Sequence, residues 1–338
     1  ASNNAALGYS ALRYNTTGTN NAAFGYYALR ANTTSSNNTA VGYHALVANT
    51  AAANTAVGSE SLEANTTGTR NTAVGYQALN ANTTSDDNTA VGRQALLLNT
   101  TGGSNTALGK SALTANTTAG NNTAVGMNCM VTNTTGSENT AVGAMALDAA
   151  STANDNTAIG YQALTADTTG TANTAVGRSA LSANTTGSNN TAVGYIALDA
   201  ITSGSSNNTA VGYAALTSNT TAQQNSAFGS YALEYNTTGV GNCAFGYMAL
   251  ELNTTTDQNT AFGWSALKNS VGSENTACGH QALLNSTTGG QNTAVGRASL
   301  NDNTTGSSNT AVGKGSLNSN TTASYNTAVG LEALEQNT

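Results

Sequence analysis

Residues 88–104 read Asn-Thr-Ala-Val-Gly-Arg-Gln-Ala-Leu-Leu-Leu-Asn-Thr-Thr-Gly-Gly-Ser, and residues 105–121 read Asn-Thr-Ala-Leu-Gly-Lys-Ser-Ala-Leu-Thr-Ala-Asn-Thr-Thr-Ala-Gly-Asn. The second stretch is the first written again seventeen residues later. Outward from this pair, a glycine preceded by Ala and one further residue recurs twenty times, from Gly8 to Gly330. Of nineteen intervals sixteen are 17 residues, two are 16 (Gly42 to Gly58, Gly263 to Gly279) and one is 18 (Gly194 to Gly212). A fixed period over a whole chain marks an array of stacked units. Residues 1–338 therefore read as a single repeat array of twenty units without caps.

Because the repeats are copies within one chain, their variation reports which positions are constrained. Asn four residues before the glycine is present in all twenty, from Asn4 to Asn326, and Ala two before it is equally invariant. The residue between that Ala and the Gly is Val, Leu, Ile or Phe except at Cys278. Leu stands four after the glycine in nineteen copies, with Met130 the exception. The two residues straight after the glycine vary freely, as solvent-facing positions do, and every length change falls beyond the Leu, where exposed turns accept it.

Seventeen residues are too few for the helical hairpins of tetratricopeptide, ankyrin or armadillo arrays. Abundant Thr, Asn and Gly also disfavour helix, and the apolar spacing holds no 3.6 period. The expected fold is all-β: a parallel β-solenoid, or β-roll, of about twenty 17-residue coils. Each coil is expected to hold a short strand at Thr-Ala-Val-Gly, a turn, and a second short strand near Ala-Leu. Coils spaced about 4.8 Å apart would make a rod on the order of 95 Å long. One coil cannot bury enough apolar surface to stand alone, so stability is a nearest-neighbour sum. The Asn column, for example Asn71, Asn88, Asn105 and Asn122, is expected to form a buried structural ladder.

Composition narrows the function. With 9 Lys+Arg against 16 Asp+Glu and a net charge of −7, the chain has no basic surface for phosphate, so nucleic acid is not an expected partner. No apolar run approaches the ~20 residues of a membrane-spanning helix, and membrane insertion is not expected. Ala and Val are adjacent on one strand and point to opposite faces, yet both are restricted. One face should fill the lumen while the other, with small Ala allowing close approach, packs on another copy, most simply as a homotrimer. The uncapped ends are expected to stack end to end into a filament.

The Asn-Thr-Ala-Val-Gly-x-x-Ala-Leu unit resembles the head repeats of trimeric autotransporter adhesins of the YadA type. It is also similar to the Asn-Thr-Thr-Gly-spaced repeats of phage tail fibres and large bacterial surface proteins. The resemblance covers all twenty repeats, although the unit is longer than the usual adhesin-head coil. It implies left-handed parallel β-rolls assembled as homotrimers, and a location that is extracellular, on a cell surface or on a virion.

Catalysis needs a unique constellation, and an array supplies copies. His44 and His280 sit in repeats 3 and 17, too far apart to share a site. Cys129, Cys243 and Cys278 replace small or apolar repeat residues and read as free thiols. Thr101-Gly-Gly-Ser104 lacks the Lys of a phosphate loop, and the pair Asp86-Asp87 and the pair Glu332 and Glu335 belong to no acidic column. No cofactor, metal site or catalytic residue is expected. Thirteen Asn-Thr-Thr triplets match a glycosylation acceptor but read mainly as turn ladders.

One column suggests recognition: Tyr9, Tyr26, Tyr43, Tyr76, Tyr161, Tyr195, Tyr213, Tyr247 and Trp264 all follow the repeat glycine. Aromatic faces there would suit sugar rings, making cell-surface glycans a candidate partner, though Tyr also simply favours β-structure. The expected function is a non-catalytic structural or adhesive fibre segment. The alternative is an ice-binding solenoid using stacked Thr columns.

Overall fold

The computed structural model describes residues 2–338. Its regular structure is twenty strands of three residues, one per repeat, with no helix among the described residues. The chain divides into two compact units, Ala1–Thr171 and Ala172–Thr338. The first holds β1 (Ala5–Leu7) to β10 (Thr157–Ile159), and the second β11 (Thr174–Val176) to β20 (Thr327–Val329). Within each unit every strand pairs in parallel with the strand one repeat away. Thr72, Ala73 and Val74 of β5 (Thr72–Val74) lie opposite Thr89, Ala90 and Val91 of β6 (Thr89–Val91). Like residues stack on like, and each unit is a parallel β-solenoid. Coils of unusual length keep this register, as in Thr39 opposite Thr55 and Thr191 opposite Thr209.

Hydrogen bonding between coils does not stop where the strand does. After β5 the Gln77 amide donates back to Ser59 O (3.0 Å), while the Leu79 amide donates forward to Ala95 O (2.9 Å) and the Ala81 amide to Leu97 O (3.1 Å). Here the structure departs from the expected second strand. The Gly-x-x-Ala-Leu segment is a run of turns, closed by Ala78 N to Gly75 O (3.3 Å) and Asn82 N to Leu79 O (3.2 Å). Gln77 and Leu79 both sit in the left-handed region, at φ 54°, and the Leu column repeats this from Leu12 to Leu334. A left-handed leucine costs roughly 1–2 kcal/mol. Its complete burial in a column of like side chains, with 0% exposure at Leu79, offsets that strain.

The repeat glycine is required twice over. Gly75 has φ +138°, and a Cβ there would lie 2.5 Å from Gly92 O of the next coil. Neither the conformation nor the space admits a side chain.

Inward and outward faces of the strand are also settled, and they reverse one expectation. Ala73 and Ala90 are fully buried, Thr72 and Thr89 are half-buried, and the Val column is the most open of the three. Ala therefore fills the lumen instead of allowing close approach on a second surface. The reason is space. The interior beside the strand is already occupied by Leu79, Ala78 and two columns of asparagine, such as Asn71 and Asn82, all at 0% exposure. Only a methyl fits, and the larger Val, Leu, Ile and Phe are turned outward.

Candidate functional site

The asparagine column that precedes the strand joins coil to coil. Asn71 Oδ1 accepts from the Asn88 backbone amide (3.0 Å), Asn88 Oδ1 from Asn105 N (3.0 Å), and Asn105 Oδ1 from Asn122 N (3.0 Å). The Nδ2 of Asn105 donates to Ala119 O (2.8 Å), and that of Asn122 to Gly136 O (2.9 Å). A second column, the Asn of Asn-Thr-Thr, meets the same carbonyls: Asn116 Nδ2 donates to Ala119 O (3.0 Å) and to Asn99 Oδ1 (2.7 Å). Both amide columns are interior, so Asn32, Asn82 and Asn116, each at 0% exposure, present no free amide to a glycosylating enzyme. Asn105→Ala would strand the Asn122 amide in a dry interior. The expected loss is about 2 kcal/mol, read as a shift of the urea midpoint. An unmoved midpoint would mean the ladder bond contributes nothing.

Asp167 occupies the second asparagine column as a carboxylate. It is fully buried, and its Oδ1 accepts from the Gly170 amide at 2.9 Å. Burial pushes its carboxyl up to about 7, moderated by that hydrogen bond.

Outside, the aromatic column forms stacks along the solenoid axis. In the first unit Tyr9 stacks on Tyr26 (centroids 5.2 Å apart) and Tyr26 on Tyr43 (5.6 Å). In the second unit Tyr195 stacks on Tyr213 (5.4 Å) and Tyr247 on Trp264 (6.2 Å). Tyr76 and Tyr161 are comparably exposed. Ring faces within a stack are turned to one another, so edges and hydroxyl groups are what solvent meets. His280, which follows Gly279 in the first column itself, extends the stack beyond Trp264 (4.7 Å), and the structure adds rings from the next position along: Tyr27 packs on Tyr26 (4.2 Å), His44 on Tyr43 (4.0 Å) and Tyr231 against Tyr213 (5.2 Å). Those residues share a corner with the first column, and that adjacency follows from the turn after the glycine. Arg178, which interrupts the column in sequence, lies over the Tyr195 ring at 5.7 Å and continues the stack.

Charged residues act as pins between coils. Arg70 Nε and Nη2 donate to Asp87 Oδ1 and Oδ2 at 2.6 and 3.0 Å, which holds the Asp87 carboxyl below its usual range. Asp86 Oδ1 accepts from the Thr69 amide (2.6 Å), Glu63 meets His44 Nδ1 (3.0 Å), and Glu332 lies 3.6 Å from Lys314. Cys129 is buried, its thiol pushed up to about 12 by that burial. Among the described residues no His, Cys, Asp and Glu cluster is arranged to hold a metal ion.

A further outward surface is the strand face itself. From Thr39 to Ile159 eight successive coils turn a Thr and an aliphatic side chain outward, on either side of the inward Ala. Val41, Leu108 and Ile159 are 36%, 47% and 40% exposed. In the second unit Phe228, Phe245 and Phe262 stack on this face with centroids 4.3 and 4.7 Å apart. No family model matches the chain, and no curated protein compared with it is significantly similar.

Proposed function

We propose that this chain is a non-catalytic structural and adhesive segment of an extracellular fibre, a cell-surface adhesin or a virion tail fibre. The observation that carries the reading is the division of labour within each coil. Interior positions hold the same Asn, Ala and Leu from coil to coil, while the turn after the glycine carries Tyr, Arg, Lys, Gln or Ser without disturbing register. Such a scaffold is stiff and displays varied side chains at a regular spacing. Resemblance to adhesin heads supports a left-handed coil and a homotrimer, and the displayed tyrosine edges and hydroxyl groups suit hydrogen bonding to cell-surface glycans. Immunogold labelling of the cells or particles that make the protein tests this. Gold along external filaments is expected; labelling confined to the cell interior would overturn it.

A second reading, ice binding, is favoured by the eight-coil double rank of Thr and aliphatic side chains. An uncharged and regularly spaced face suits adsorption to a crystal plane. Inhibition of ice recrystallisation at micromolar protein would select this reading over the fibre.

A further inference from the structure

We infer that the outward strand face is an interface, and that its occupant is the same face of a second copy of this chain. The inference rests on the self-association proposed above and assigns it to residues. Four features of the face point there.

Charge is excluded from it. None of the residues in the twenty strands is charged, whereas the column two positions beyond the Val accepts Arg93, Lys110 and Arg178. A merely solvated face would tolerate Lys or Glu as readily as that neighbouring column does. Its extent is also unusual: ten apolar side chains in each unit form a strip on the order of several hundred Å², at the upper end of what monomeric proteins leave open.

Outward volume is compensated along the strand in four coils. The first strand residue is Thr in sixteen coils, and the four exceptions, Ala5, Ala22, Ser226 and Cys243, are all smaller. They fall beside four of the six outward Leu and Phe residues, Leu7, Phe24, Phe228 and Phe245, while Thr106 and Thr260 are kept beside Leu108 and Phe262. A ring projecting into water has free room and asks nothing of its neighbour. A ring pressed against a packed surface does, because close-packed layers hold their thickness.

Regularity is kept along the whole of this face. Coils of 16 and 18 residues take up their difference in the turns, and strand register passes through them unbroken. A face that repeats at every coil is complemented over many coils by a body of the same period, which a second copy has by construction.

The test is sedimentation equilibrium of the intact chain at micromolar concentration, with Val91→Glu on the face and Arg93→Glu in the exposed turn of the same coil. Wild type and Arg93→Glu are expected to sediment as a multiple of the 33.6 kDa chain and Val91→Glu as a single chain, with unchanged far-ultraviolet circular dichroism. Val125→Lys, of opposite charge on the same face, should also disperse the assembly. If wild type and Val91→Glu both assemble while Arg93→Glu does not, self-association stands and this face is the wrong one. Wild type sedimenting as a single chain overturns both, and ice-recrystallisation inhibition lost in Val91→Glu would then identify ice as the occupant. Loss of fold in both face variants would place the column in an interior and equally overturn the proposal.

Discussion

Leu113→Asp is expected to lower the thermal midpoint by about 5 °C, while Ser111→Asp, two residues earlier in the same coil, moves it by about 1 °C or less. Both positions are left-handed, at φ 51° and 58°, a region Asp enters more readily than Leu. Backbone strain is therefore not what separates them. Leu113 is fully buried, and its amide donates to Cys129 O of the next coil at 3.0 Å. Its loss leaves a cavity and puts a carboxylate into a lumen with no cation, together costing roughly 3–5 kcal/mol. Ser111 is half-buried beside the exposed Lys110, where a new carboxylate stays hydrated. Melting followed by circular dichroism reads the difference, and equal midpoints would contradict the placement of the Leu column inside.

Asp167→Asn is expected to remove a pH dependence that the wild type carries. The folded carboxyl titrates at about 7 against an unfolded value of 3.8, so the folded state binds the proton more tightly than the unfolded state. Stability from this group is complete below the unfolded value and is lost as pH rises through the folded one. Between about pH 4 and pH 7 the wild type should lose a few kcal/mol relative to Asp167→Asn, with the gap constant above pH 8. In the variant the amide restores the group that other coils use, as Asn116 and Asn133 do toward Ala119 O and Gly136 O. Urea midpoints of the two proteins across pH 4 to 8 test it. A gap that stays flat, or widens toward acid, would mean Asp167 is ionised in the folded state.

Most of the architecture was legible because the chain contains its own comparison set. Twenty copies displayed which positions tolerate change, and period and parallel stacking followed from that alone. The second strand was misread because Ala-Leu looks like ordinary β-sequence, and nothing in a leucine announces that it sits at positive φ. The inward Ala was misjudged for another reason: invariance of both Ala and Val says that each is constrained but not which side is narrow. What makes the lumen narrow is the second amide column. Its Asn residues read in the sequence as turn ladders, although their replacements carry a signal. Asn fills that column in fifteen of twenty coils, and Ala150 and Ile201, both at 0% exposure, are substitutions that only an interior position favours. For the aromatic column the sequence placed like residues one coil apart, but whether rings stack on each other or open outward depends on side-chain torsions that periodicity does not encode.

Residues seventeen apart are neighbours one coil away, and spin labels on Arg93→Cys and Lys110→Cys measure that proximity. The native thiols are first replaced by their repeat consensus, as Cys129→Ala, Cys243→Thr and Cys278→Val. Stacked coils put the two labelled backbones about 4.8 Å apart, whereas the same stretch would separate them by roughly 25 Å as helix or more than 50 Å if extended. Strong dipolar broadening of the doubly labelled protein relative to either single label is expected, lost on denaturation. A doubly labelled spectrum equal to the sum of the two single-label spectra would contradict it.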